Sequence, residues 1–227
     1  FFKHTDTWAK GLHLKGTSGY GCYWNQIRNI VIRRCTIGMH FDNQANSNFI
    51  FGGTVSSDKE WITYGILFDG TPKGGEGNSF FGTHVNNMDY AGSIGVYIKT
   101  AHYNQFFGSW FHNISPALDI QIDADNARNG FIKCLHADPT LVVNNGVNTV
   151  FEFGNYVTRN SGTATNTTAT TFVFNHGLAG TPTGVWASFN TTEITGWTWT
   201  ATSTQITITV MGMTDDRTCY WTAEYKP

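Results

Sequence analysis

Two aspartates, Asp42 and Asp69, end successive copies of one short motif: Gly38-Met-His-Phe-Asp42 and Gly65-Ile-Leu-Phe-Asp69. If the two copies form neighbouring strands, the carboxylates lie about 5 Å apart, a separation that suits hydrolysis of a glycosidic bond with retention of configuration. Repulsion between the charges would raise the pKa of one carboxyl group, which gives an acid and a base. His40 lies beside them in the sequence and could assist. The spacing thus predicts a catalytic group of Asp42, Asp69 and His40.

The same residues also fit a surface role without catalysis. The last residues of successive motif copies form one outer column, which reads Lys15, Asp42, Asp69, Lys99, Asp123. The lysines would neutralise the aspartates, and a calcium ion held between two carboxylates is a further alternative. The four cysteines are widely spaced and form no C-x-x-C pair, which argues against a zinc site. We predict neither a metal site nor a cofactor.

Aromatic and arginine side chains offer a second kind of chemistry, the binding of sugars. A flat apolar ring with a polar rim matches the face of a pyranose, and a guanidinium group matches a carboxylated or sulfated sugar. The predicted glycan-binding residues are Trp24, Trp61, Tyr97, Trp110, Arg33 and Arg34. Packing between coils or subunits is the alternative for the aromatic rings, and a solvated strand edge is the alternative for the arginines.

The elements that position these residues follow from an internal repeat. A first motif, a small residue followed by apolar, any, apolar and polar residues, starts at Gly11, Gly38, Gly65 and Gly95, with weaker copies at Asp119 and Val150. A second motif, asparagine, any residue and two apolar residues, usually followed by glycine, starts at Asn25, Asn48, Asn78, Asn104 and Asn129. Both motifs recur about every 27 residues, a period typical of solenoid proteins.

A coil of short strands explains this repeat. Each strand directs an apolar pair inward, and successive coils stack about 4.8 Å apart. We expect the first-motif glycines to supply turn conformations and the second-motif asparagines to stack as an amide ladder. Helical repeats and leucine-rich repeats need patterns that this sequence lacks. The sequence therefore predicts an all-β chain with a right-handed parallel β-helix of about five to six coils.

These motifs support a family resemblance. The recurring Gly-apolar-x-apolar strands and Asn-x-Phe-Phe-Gly turns resemble the pectate-lyase-like β-helix superfamily, particularly viral tailspike and tail-fibre proteins. The resemblance covers about residues 8–155. It implies a shaft that contacts surface polysaccharide, or an enzyme that cleaves it.

The composition changes from about Arg159, where the chain becomes rich in threonine and poor in charge. Alternating runs such as Gln205-Ile-Thr-Ile-Thr-Val210 predict strands with one buried face. We predict a β-helix domain at residues 1–157 and a small antiparallel β-sandwich at residues 158–227. The segment His176-Gly-Leu-Ala-Gly-Thr-Pro182 resembles a C-terminal module of viral tail and fibre proteins, which implies capping and trimerisation. We expect His176 itself to fix a turn through hydrogen bonds.

Charge and hydropathy narrow the function. With 14 basic and 16 acidic side chains and a net charge of -2, the chain lacks the basic excess of a nucleic-acid binder, and no apolar run is long enough for membrane insertion. The favoured function is a virion tail-fibre or tailspike-like attachment protein, a homotrimer at the virion surface or outside the cell, that contacts host glycans. The alternative is a secreted polysaccharide lyase or glycoside hydrolase. Only 13% of residues are charged, which disfavours acid–base catalysis.

Overall fold

The computed structural model describes residues 10–17, 19–56, 62–70, 75–86, 92–112, 118–124, 126, 128–136, 141–153, 156–166, 168, 170–212 and 217–225. The chain divides into two compact units, Phe1–Gly154 and Asn155–Pro227. The regular secondary structure of the described residues in both units consists of β-strands, with no α-helix, so the all-β prediction is confirmed. Among these residues, no helix has the length and apolar character needed to cross a membrane.

The first unit is a parallel β-helix, as predicted, in which the first five turns each contribute one strand to each of three sheets. The first sheet contains β1 (Lys10–Lys15), β4 (Ile37–Asp42), β7 (Tyr64–Phe68), β10 (Ile94–Ile98), β13 (Leu118–Ile122) and β16 (Val142–Asn144). The second contains β2 (Gln26–Arg28), β5 (Phe49–Phe51), β8 (Ser79–Phe81), β11 (Gln105–Phe107), β14 (Gly130–Ile132) and β17 (Val150–Phe153). The third contains β3 (Val31–Arg33), β6 (Thr54–Ser56), β9 (His84–Asn86), β12 (Trp110–His112) and β15 (Leu135–His136).

The core of this unit consists of columns of side chains that run from turn to turn. In the first sheet the predicted inward column is confirmed by the strand register, in which the aligned residues are Leu14, Phe41, Phe68 and Ile98. In the second sheet the central rings of β8, β11 and β14 stack on one another, with centroids 4.5 Å apart for Phe80 and Phe106 and 4.7 Å apart for Phe106 and Phe131. These stacked rings hold the strands in the register that the alternation of apolar residues predicts.

The predicted asparagine ladder is also confirmed. The side-chain amide of Asn48 donates to Oδ1 of Asn78 at 2.9 Å, and that of Asn78 donates to Oδ1 of Asn104 at 3.0 Å. Each oxygen also accepts the backbone N–H of the preceding asparagine, at 2.9 and 3.0 Å. These three asparagines have no solvent exposure. Because buried amides are costly without partners, this ladder ties each turn to its neighbours.

The expectation that first-motif glycines form turns is wrong. Gly11 and Gly38 lie inside β1 and β4 and have no positive φ. A Cβ atom at Gly38 would collide with the carbonyl oxygen of Gly65 and with Val55. Close packing inside the coil therefore requires these glycines. The left-handed backbone occurs instead at the second-motif glycines, as at Gly82 with φ 64°.

The second unit is a β-sandwich of two three-stranded antiparallel sheets. The strands of these sheets are β19 (Arg159–Thr165), β20 (Thr171–Asn175), β21 (Gly184–Phe189), β22 (Gly196–Ala201), β23 (Gln205–Met211) and β24 (Thr218–Glu224). The short strand β18 (Tyr156–Val157) precedes them in the chain and belongs to neither sheet. One sheet has the order β19-β24-β21 and the other β20-β23-β22, and their buried residues, including Phe172, Ile208 and Trp221, form one core. The turn-fixing role of His176 is confirmed, because its buried ring accepts the N–H of Leu178 at 3.0 Å.

Candidate functional site

The outer column of the first sheet forms as predicted, but its charges are paired. Lys15 is the register partner of Asp42, and its Nζ lies 3.1 Å from Oδ2 of that aspartate. The Nζ of Lys99 lies 3.3 Å from Oδ2 of Asp69. In the last described turn of this column, the hydroxyl of Tyr97 donates to Oδ2 of Asp123 at 2.7 Å. Each carboxylate therefore has a donor of its own.

The pKa of Asp42 does not behave as a general acid requires. Partial burial acts to raise this pKa, but hydrogen bonds from Lys15 and His13 outweigh burial and hold it below its ordinary value. The expectation that repulsion between carboxylates raises a pKa is therefore wrong at Asp42. Its closest charged neighbours are cationic or can become so, and they favour the ionised form. Asp42 is a carboxylate at neutral pH.

His40 is more buried than its outward direction suggests. Its register partners on the two sides are His13 and Leu67, and its ring stacks on that of His13 with centroids 4.8 Å apart. Only 8% of His40 is exposed, and neither ring nitrogen has a hydrogen-bond partner in the part of the chain that the structure describes. Burial, followed by the charge of Lys10, lowers the pKa of His40 from 6.5 to about 4. The imidazole is therefore neutral at physiological pH and is a weak base.

The outer face of the third sheet, called here the third-sheet face, carries two of the predicted sugar-binding residues. Trp110 on β12 is 40% exposed, and its ring meets that of His84 on β9 edge to face at 5.4 Å. His112 lies next to it on the same face, with ring centroids 6.3 Å apart. Arg33 is exposed on β3, three strand spacings, or about 14 Å, from β12. This face combines an accessible indole with hydrogen-bonding side chains.

The histidines of this face were not among the predicted site residues. The polar–apolar–polar triplets His84-Val-Asn86 and Trp110-Phe-His112 recur shortly after the second motif. Their central residues are fully buried. This alternation was a signal that could have placed both histidines on one outer surface.

The remaining predicted sugar-binding residues are dispersed. Tyr97 is half-buried on the first sheet, where burial and Asp123 raise its pKa. Trp24 is 74% exposed in the loop before β2 and has φ 55°, while Arg34 is exposed directly after β3 and has φ 57°. Trp61 lies outside the described residues. Of the predicted sugar-binding residues that the structure describes, only Arg33 and Trp110 therefore lie on the same outer sheet face.

The outer face of the second sheet carries aromatic rings that were not among the predicted glycan-binding residues. Phe51, Phe81 and Phe107 stack in successive turns with centroids 5.1 and 5.2 Å apart, and the guanidinium of Arg28 covers Phe51 at 4.6 Å. Each ring is the second phenylalanine or its equivalent in the Asn-x-apolar-apolar motif. Because the rings cover each other's faces, mainly their edges are left for solvent. This stack forms an apolar ridge rather than a platform for sugar rings.

Thiol chemistry has no support at the described cysteines. All four are free, and three of them are buried. Burial raises the pKa of the Cys35 thiol to about 11 and that of Cys134 to about 12. These thiols are protonated at neutral pH and pack as small apolar groups.

Comparisons with known proteins include a weak structural similarity. No family model matches the chain, and no curated protein matches its sequence. Among solved structures, the chain is similar to the tailspike gp61 of Pseudomonas phage phi297, with 10% sequence identity and a TM-score of 0.26. The match covers 90% of this chain and 61% of the tailspike chain, so this chain spans less than two thirds of its length. A similarity of this size supports no conclusion about function. The β-helix is assigned from the parallel pairing of its strands.

Proposed function

We propose that this chain is a tail-fibre or tailspike-like attachment protein, located at the virion surface or outside the cell, that contacts host-surface glycans. The observation that carries the proposal is the accessible indole of Trp110, flanked by His84 and His112 on the third-sheet face. An aromatic plane beside several hydrogen-bonding groups suits a sugar ring, which is apolar on its face and polar at its rim.

The scaffold supports a binding role that depends on rigidity. Buried asparagine amides and stacked phenylalanine rings join successive turns, so the third-sheet face rests on a continuous core. A rigid surface loses little conformational entropy on binding. Repetition along the β-helix also presents similar side chains at regular spacing, which suits a polymeric ligand.

Binding is favoured over cleavage by the state of the aspartates. A retaining glycosidase needs one protonated carboxyl group and one carboxylate. Lys15 and His13 keep the pKa of Asp42 low, and Lys99 pairs with Asp69. The paired charges therefore fit the surface ladder better than they fit a catalytic dyad.

A glycan-array screen followed by calorimetry with the best ligand tests this proposal. Loss of one aromatic stacking contact costs up to about 1.5 kcal/mol, so Trp110→Ala should weaken binding by about tenfold. Trp110→Phe should retain part of the affinity, and Leu135→Ala, which removes an exposed aliphatic side chain from the same column, should retain nearly all of it. Equal affinities for wild type and Trp110→Ala would exclude the third-sheet face. Release of reducing ends from the bound glycan would instead favour the enzyme.

The same proposal includes a homotrimer assembled through the C-terminal sandwich. Trp186 on β21 and Tyr220 on β24 are 54% and 51% exposed and lie on the same face of one sheet. Large exposed aromatic residues are typical of protein interfaces. Sedimentation should give a mass of three 25.2 kDa chains, and the double variant Trp186→Ser/Tyr220→Ser should sediment as a monomer. A monomeric wild-type protein would contradict the trimer without affecting the glycan proposal.

A further inference from the structure

Three potential metal ligands meet on the outer face of the first sheet. His13 on β1 and His40 on β4 are register partners, and Asp42 follows His40 at the end of β4. One donor atom from each of the three side chains lies within 4.8 Å of the other two. Oδ2 of Asp42 is 3.3 Å from Nε2 of His13. His13 lies far from His40 and Asp42 in the sequence, so motif spacing alone did not reveal this cluster.

The buried state of His40 is the independent sign that this cluster binds a ligand. More than nine-tenths of the residue is buried, yet neither ring nitrogen has a hydrogen-bond partner among the described residues. A buried polar group without a partner is destabilising. A metal ion coordinated by one of these nitrogens would remove that cost.

The donor types select the class of metal. Two imidazole nitrogens and one carboxylate oxygen suit Zn²⁺ and similar transition-metal ions. Ca²⁺ and Mg²⁺ prefer sites made of oxygen ligands only. From this arrangement we propose that His13, His40 and Asp42 bind a transition-metal dication, Zn²⁺ in particular, which links β1 to β4.

The surrounding charges and ring orientations set the requirements for binding. Lys10 Nζ lies 3.4 Å from Nε2 of His13, and Lys15 Nζ lies 3.1 Å from Asp42. Both lysines are exposed, so their ammonium groups can turn into solvent when the ion enters. The two imidazole rings are parallel within 6°, and a ligated ion must lie in the plane of each ring. Binding therefore requires one ring to rotate, and His13, with 30% of its side chain exposed, has the space to do so.

Titration of untagged protein with ZnCl₂ at neutral pH tests the proposal. We expect one zinc ion per chain by calorimetry and a rise in the thermal midpoint, whereas CaCl₂ at the same concentration should give neither. His13→Asn should abolish both effects, and because His13 is exposed this variant should fold normally. His84→Asn, which removes a histidine from the third sheet, should leave both effects intact.

Spectroscopy with Co²⁺ separates this site from nonspecific binding to surface histidines. Coordination by His13, His40 and Asp42 should give visible absorption bands that saturate at one equivalent and are displaced by Zn²⁺. His40→Asn should lose these bands even if its stability is also altered. Zinc binding of equal stoichiometry and affinity in wild type and His13→Asn would overturn the proposal, as would absence of a calorimetric signal in wild type.

Discussion

Acidification should destabilise the β-helix, with the largest effect from His40. Its pKa is about 4 in the folded chain, against an ordinary value of 6.5. Between these two values the unfolded chain binds a proton that the folded chain does not, so stability falls as the pH decreases. At 1.36 kcal/mol for each pH unit, the gap corresponds to roughly 3 kcal/mol. This contribution is complete above about pH 6.5 and is lost as the pH falls to about 4.

The groups that face His40 determine how cleanly this effect can be observed. Lys10 and His13 lower the pKa of His40, whereas Asp42 and Asp69 raise it by less than burial lowers it. The pKa of His13 is lowered as well, so its contribution has the same sign. The pKa of Asp42 lies below 3.8, and its stabilising effect is therefore lost in a more acidic range. The contributions of His40 and His13 are therefore lost at a higher pH than that of Asp42.

Guanidinium unfolding in the presence of EDTA, followed by tryptophan fluorescence at several pH values, measures the effect. His40→Leu is the informative variant because Leu67 occupies the same column in the next turn. It should lose most of the roughly 3 kcal/mol pH dependence, while His84→Leu on the third sheet should retain it. If His40→Leu and wild type lose equal stability between pH 7 and 4, the burial argument for His40 is refuted.

Two further predictions concern the scaffold, and both are measured by denaturant unfolding. Asn78→Ala removes the acceptor of the buried Asn48 N–H, an acceptor of the Asn48 side-chain amide and one of the donors to Oδ1 of Asn104. This change should cost about 3 kcal/mol, whereas Asn25→Ala at the exposed end of the ladder should cost less than about 1 kcal/mol. Equal costs would show that the ladder does not stabilise the core. Gly82→Ala meets open space but has a positive φ and should cost roughly 1–2 kcal/mol. Gly38→Ala should cost more because its Cβ atom collides with Gly65, and the reverse order would contradict the packing explanation.

The fold was predictable because two independent motifs recur with the same period. Each motif places its apolar residues in one column, so Phe41 and Phe68 had to align once the period was identified. The asparagine ladder followed for the same reason, since a residue that recurs once in each turn must stack on its own copies. Periodicity therefore contained enough information to specify both the strand register and the contents of the core.

Side-chain pairing within a column was not predictable to the same degree. The sequence placed Lys15, Asp42, Asp69 and Lys99 in one column, but either charge pairing or a carboxylate dyad was compatible with that order. The structure selects charge pairing through contacts of 3.1 and 3.3 Å. Long lysine side chains can reach across one strand spacing, and an ion pair is electrostatically better than two adjacent carboxylates. The order of residues in the column was therefore predictable. The protonation state of its carboxyl groups was not, because it depends on which rotamers the lysine side chains adopt.

Exposure is the property that strand alternation predicts least well in a stacked sheet. Alternation directs His40, Leu67 and Phe81 outward, yet their exposed fractions are 8%, 5% and 36%. The difference arises because each outward side chain is covered by its neighbours in the turns on either side. Those neighbours lie about 27 residues away in the sequence, so local alternation does not reveal their size. His40 is consequently a buried imidazole on an outer face, a state that no local motif encodes. On such a scaffold, unusual chemistry is expected wherever large outer neighbours bury a polar group, and it has to be sought across turns rather than along the strand.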